Sequence, residues 1–297
     1  MPTLSFDRWS TTRYNSWPYR IFKQYDNELM RMRMAHESAK IYTYHHLKTD
    51  GAVWDSKAFN YIETAGNIDI TIRNWSDVYN DFCNWTRLNQ LVALSSYFET
   101  YIAAIVKLSI ESDPGLIIES PHSVDGIKLI KGGKKLNVVD YETILKGCTK
   151  DTWSARLSNL QKLYKHLPQS LTDNVSELEK MRNTRNKMGH AFGRDINASH
   201  EYAQLTIEPM ENLSSGAFQK YQTIIRTIVR DLDNLIMTEH VGNFQPLYYY
   251  HTVKDTFMNP NDRDRRVNEF KKMIGKKTGE LYTRDYCRQI DSYYRNL

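Results

Sequence analysis

The sequence has little cysteine: three residues among 297, Cys83, Cys148 and Cys287, with no CxxC and no metal-ligand spacing. An odd, scattered set excludes a disulfide framework and fits reduced thiols inside a cell. The start, MPTLSFDRWSTTRYNSW, lacks the basic beginning and apolar run of a signal peptide. No stretch approaches the roughly 18 to 20 apolar residues of a membrane span. The expectation is a cytoplasmic protein with no membrane partner. Serine-nucleophile patterns such as GxSxG are missing. The pair Gly132-Gly133 is not followed by Gly-Lys-Ser/Thr, so it is no phosphate loop. Nine histidines include His45-His46, and His240 with His251, but none has HxxxH or HExxH spacing. No metal and no cofactor is therefore expected. Asp231 and Asp233 diverge on a helix, as residues two apart do, and read as a solvated face. Internal repeats and low-complexity tracts are also absent.

What is present is ordinary globular composition, 40% hydrophobic and 25% charged, in a chain long enough to bury a full core. The net charge of +5 is uneven, since residues 251–297 hold 11 Lys or Arg against 7 Asp or Glu. A basic excess of this size pulls only weakly toward a polyanion.

Helical periodicity organises the chain. Residues 1–73 read as an N-terminal, mostly helical extension, with Phe22, Tyr25, Leu29 and Met32 at spacings of three and four. TAGNIDITIRNWS reads as a short strand or connector, and Ser76 as the cap of the next helix. That helix carries Leu91, Leu94, Tyr97, Phe98, Tyr101, Ile102 and Ile105 on one broad face, and Asp113-Pro114-Gly115 ends it. Residues 116–150 read as an irregular insertion with a small β-hairpin around Gly132-Gly133. Its Lys128, Lys131, Lys134 and Lys135 could touch nucleic acid or simply solubilise a loop. Three more helical patterns follow, and residues 246–297 form a basic, Tyr-rich helical tail. The tyrosines of that tail could stack bases, but their spacing fits packing onto their own domain.

The informative stretch is ELEKMRNTRNKMGHAFGRD, residues 177–195. At 100° per residue, Leu178, Met181, Arg185, Met188 and Phe192 share one arc. An arginine in an apolar seam must meet an anion, a partner or a cavity, because burying it unpaired costs several kcal/mol. Arg182, Asn186 and His190 form the adjoining polar arc. The cluster joins a fixed cation, an amide and the one side chain that titrates near neutral pH.

RNKMGH resembles the Arg-Asn-x-x-x-His motif of HEPN domains, the higher eukaryote and prokaryote nucleotide-binding family. The order of helices, from ALSSYFETYIAAIVKLS through WSARLSNLQKLYKHLP to YQTIIRTIVRDLDNLIMTEHVG, is similar too. The likeness covers roughly residues 74–243, so the region 74–245 is expected to be a HEPN-like helical domain within an all-α fold. It implies a helical bundle that forms a homodimer and, in many members, a metal-independent endoribonuclease serving as a toxin or antiviral effector. Met181, Met188 and Phe192 would then face a second copy. On this likeness Arg185, Asn186 and His190 are the catalytic residues, and Arg182 and Lys187 hold flanking phosphates of an RNA substrate. Some toxin members carry a tyrosine two residues after the histidine, which a partner nucleotidyltransferase can modify. Here Phe192 stands there, so a partner antitoxin or defence-system protein would act by another route. Other members are catalytically silent modules that bind nucleotide, RNA or a protein. A third reading is a nucleic-acid-binding regulator that uses the basic tail.

Overall fold

A computed structural model describes residues 6–10, 15–54, 71–134, 141–191, 194 and 208–297, the side chains of His190 and Ala191 excepted. Regular structure among these residues is helical, with only an isolated bridge at Thr71 and no strand, so the fold is all-α. The long helices are α1 (Trp17–Thr49) and α2 (Ile72–Ser112). Short helices follow: α3 (Gly126–Lys131), α4 (Tyr141–Thr149), α5 (Trp153–Tyr164) and α6 (Gln169–Thr172). Then come α7 (Val175–Ala191), α8 (Ser215–Ile236), α9 (Phe244–Val253), α10 (Arg263–Thr278) and α11 (Arg284–Asn296).

The chain forms two compact units, each assembled from segments distant in sequence. The first comprises Met1–Arg20, Thr100–Asp173 and Thr227–Leu297; the second, Ile21–Glu99 and Asn174–Arg226.

In the second unit the expected helix is α1, which buries Phe22 and Leu29 of the apolar spacing and, beside them, Asp26. Tyr25 and Met32 are exposed. Asp26 is tolerated inside because Gln222 Nε2 donates to it at 2.7 Å and Arg226 Nε at 2.6 Å. Ser76 does not cap α2. Thr71 does, its Oγ1 accepting from Asn74 N at 3.2 Å, while Ser76 lies inside the helix, hydrogen-bonded to Tyr44. Leu88, Leu91, Leu94 and Phe98 of α2 are buried, and Tyr97 instead stacks on Tyr25 at 4.7 Å. Over 18 residues α2 is long and apolar enough to cross a bilayer, contrary to the sequence expectation. Half of that window is buried within the protein, the pattern also shown by a core helix.

The buried side chains of the first unit include Ile102 and Ile105 of α2 and residues of five further helices: Trp153, Ile228, Leu232, Tyr250, Phe270 and Ile290. Arg8 is a buried hub, donating to Val241 O (2.7 Å) and to Ser112 O (3.0 Å), and pairing with Asp125 at 3.2 Å. The expected hairpin is absent among the described residues. Its first arm is α3, started by Asp125, whose carboxylate accepts from Ile127 N at 3.2 Å. Gly132 and Gly133 end that helix, with Gly133 at φ 68°, instead of turning a hairpin. The second arm, 136–139, lies outside the described residues, as does Lys135. Lys131 is spoken for: its ammonium donates to Tyr294 O at 2.9 Å and Arg295 O at 3.2 Å, closing the end of α11. Most tail tyrosines pack inward, while Tyr248 is exposed. Tyr250, Tyr282 and Tyr294 are buried, and Tyr293 donates to Asp125 Oδ2 at 3.0 Å.

After α8 the chain widens into one π-helical turn, Met237–Val241, closed by Gly242. Gly242 has φ 51°, and a Cβ there would lie 2.4 Å from Arg8 O. Gly242→Ala should therefore cost about 2–4 kcal/mol, from left-handed strain plus overpacking, measured by urea unfolding.

Asp233 is not on a solvated face. It is 1% exposed, accepts from Ser16 Oγ and N, and receives Tyr101 Oη at 3.2 Å. Burial lifts its carboxyl to about 6, against the lowering pull of those hydrogen bonds. A folded-state value above the unfolded 3.8 means the native protein binds the proton more tightly. This group's contribution is then fully present below about pH 4 and is lost as pH rises through about 6. The loss is up to about 3 kcal/mol. The stability-versus-pH curve should flatten across that window in Asp233→Asn, read by urea unfolding at pH 4, 5, 6 and 7.

Candidate functional site

Helix α7 carries the motif, and the second unit contains the carboxylates that pair with its cations. Leu178, Met181, Thr184 and Met188 are the buried face. Thr184 joins the buried face, while Arg185, placed in that arc by helical angles, keeps its side chain 30% exposed. Arg185 meets an anion, as an arginine beside an apolar seam must: Nη2 donates to Glu99 Oε1 of α2 at 2.7 Å. Because Leu178, Met181 and Met188 are buried within this chain, they are not a free surface for a second copy, against the expectation of a dimer seam. Phe192 lies outside the described residues.

The other cations are also paired. Arg182 binds Glu179 one turn back, Nε and Nη2 at 2.9 and 2.5 Å from Oε1. Lys187 Nζ sits 3.0 Å from Glu211 Oε2, and Thr184 Oγ1 donates to Glu211 Oε1 at 3.1 Å. Glu211 is placed by α2, since Asn84 takes Glu211 O and Leu213 N at 2.9 Å each and Arg87 Nε donates to Leu213 O at 2.6 Å. At the start of α7, Glu177 accepts from Lys220 and Lys180, and those hydrogen bonds hold its carboxyl below the usual range. Asn186 is half-buried and makes no hydrogen bond among the described residues. The backbone of His190 lies in the last turn of α7; its side chain lies outside the described residues.

The structure thus brings Arg182, Arg185, Asn186 and Lys187 onto one accessible stretch of α7. It adds three carboxylates that motif reasoning did not find: Glu99, Glu179 and Glu211. Only Glu179, three residues from Arg182, was readable from spacing.

A second constellation lies in the first unit and includes His240, which spacing alone had set aside as a metal ligand. Asp113, His122 and His240 each place a ligand-type atom within 4.8 Å of the others. Asp113, read only as a helix terminator, is fully buried at the end of α2 and sits 3.0 Å from His240 Nδ1. No spacing rule finds this set, because its members come from three separate segments.

No protein-family model, no curated protein and no solved structure matches the chain.

Proposed function

We propose that this chain is a HEPN-type, metal-independent endoribonuclease acting in toxin or antiviral defence. The supporting observation is Arg185 and Asn186 side by side on α7, partly exposed, with the arginine fork held by Glu99 and the amide uncommitted. His190 follows one turn on.

In this reading the RNA supplies the nucleophile. A 2′-hydroxyl loses its proton to a general base and its oxygen attacks the adjacent phosphorus. The bond to the 5′-oxygen breaks, and that oxygen takes a proton. His190 serves as base or acid, because imidazole titrates near working pH. Arg185 leaves Glu99 for the phosphate, whose planar oxygens match its fork, and stabilises the charge that builds in the transition state. Asn186 orients the phosphate, and Arg182 and Lys187 hold its neighbours. DNA, lacking the 2′-hydroxyl, is not cut. The homodimer belongs to the proposal only on a face other than the buried one.

The pairing of Arg182, Arg185 and Lys187 with the chain's own carboxylates favours one alternative, a catalytically silent module that binds nucleotide, RNA or a protein partner. Incubating the protein with total RNA in EDTA separates the two. The nuclease leaves 2′,3′-cyclic phosphate and 5′-hydroxyl ends; the silent module leaves RNA intact.

A further inference from the structure

The first unit contains a ring of three imidazoles and two carboxylates. Asp113 Oδ2 is 3.0 Å from His240 Nδ1 and 3.9 Å from His122 Nε2. Glu239 Oε2 is 3.9 Å from His240 Nε2, and Glu239 Oε1 is 2.8 Å from His166 Nε2. His122 Nε2 closes the ring 2.5 Å from the Glu239 carbonyl oxygen. None of these residues belongs to the motif helix.

Two features single the ring out. His240 is about 5% exposed, and its Nε2 is buried without a hydrogen-bond partner. A buried nitrogen left unpaired is costly, and a small shift of Glu239 Oε2, 3.9 Å away, would satisfy it. Glu239 and His240 also ride on the π-helical turn Met237–Val241, a local widening often found at functional sites. The His122 ring is fixed from outside by Trp9, stacked at 4.2 Å, while its backbone N–H donates to Asp113 Oδ1 at 2.9 Å.

We infer that Asp113, His122 and His240 bind a divalent transition-metal ion of the zinc class, with water in the fourth position. Two imidazoles with carboxylate suit zinc, cobalt or nickel, whereas calcium and magnesium take oxygen donors. Tetrahedral zinc with bonds near 2.0–2.1 Å keeps its ligand atoms about 3.3 Å apart. Asp113 Oδ2 lies 3.0 Å from His240 Nδ1 and 3.9 Å from His122 Nε2, which brackets that value, so shifts of about half an ångström, with His122 Nε2 released from the Glu239 carbonyl, bring these donors onto an ion. With the ion on His240 Nδ1, Nε2 carries the ring proton toward Glu239 Oε2, 3.9 Å away. That carboxylate–histidine–metal arrangement fixes the tautomer. The two carboxylates offset the ion's charge, and Arg8, a cation close enough to feel Asp113, already faces Asp125. Half-exposed His122 and exposed His166 and Glu239 give the ion a route in from solvent.

The test is a Co²⁺ titration of untagged, EDTA-stripped full-length protein, followed by visible d–d absorption, then Zn²⁺ displacement and elemental analysis. One equivalent should bind with tetrahedral bands that zinc abolishes, and Ca²⁺ and Mg²⁺ should not compete. His122→Ala and His240→Gln should each weaken binding at least about tenfold. His122 is accessible enough that its removal leaves the fold intact by circular dichroism. The inference is overturned by a wild type that binds no stoichiometric cobalt or zinc. Wild-type affinity in folded His122→Ala overturns it equally.

Discussion

RNA cleavage should fall at least about a hundredfold in His190→Ala and in Arg185→Ala, because each removes a group that acts on the reacting phosphate. Arg185→Lys should recover only part of the loss, since an ammonium keeps the charge but not the two-pronged geometry. Glu99→Gln divides the readings further. The Arg185–Glu99 pair is partly exposed, 30% and 21%, so its own contribution to stability is small. If the arginine exists to bind phosphate, neutralising Glu99 leaves cleavage within a few-fold of wild type or tightens KM, with little change in Tm. If the pair is purely structural, Arg185→Ala and Glu99→Gln lower Tm alike and neither touches RNA. Single-turnover cleavage of a labelled RNA, beside thermal melts of all four variants, reads both. Undiminished cleavage by Arg185→Ala would sink the nuclease assignment.

The second large effect concerns stability. Asp291→Ala should destabilise the first unit by about 3–5 kcal/mol, a major share of the roughly 5–15 kcal/mol typical of a folded domain. Arg266 and Asp291 are 4% and 2% exposed. Two parallel bonds join them, Nε to Oδ1 at 2.6 Å and Nη2 to Oδ2 at 2.9 Å, and Tyr250 Oη donates to Oδ1 at 2.5 Å. Removing the carboxylate strands a buried guanidinium and a buried phenol. Burial alone would raise the Asp291 carboxyl, but hydrogen bonds from Arg266 and Tyr250 bring it below its ordinary value. A depressed carboxyl stabilises the fold above its unfolded value near 3.8, and that stability is lost as pH falls through the lower folded value. The gap between wild type and Asp291→Ala in urea should therefore be widest at neutral pH and narrow below about pH 4. Replacing both partners by apolar residues, Arg266→Met with Asp291→Leu, should cost far less than either single change.

The sequence by itself determined the all-α class, the helices α5, α7 and α8, a helical tail and the packing role of most tail tyrosines. It also determined that the arginine of α7 needs an anion. All of these follow from rules local to a few turns: apolar spacing, caps and the cost of a bare charge. Local rules also misled. The Gly132-Gly133 pair reads alike as hairpin turn or helix end, and only Asp125 capping Ile127 N decided for the helix. The angles of α7 admit Thr184 or Arg185 to the buried face, and Glu99 of α2, 86 positions away, drew the arginine to the edge. Asp233 looked solvated until Ser16 and Tyr101 enclosed it. The ring of Asp113, His122 and His240 has no signature in the chain at all. Its members meet only because the end of α2, the loop before α3 and the π-turn after α8 converge. A side chain's partners are set by contacts remote in sequence, and no periodicity encodes those.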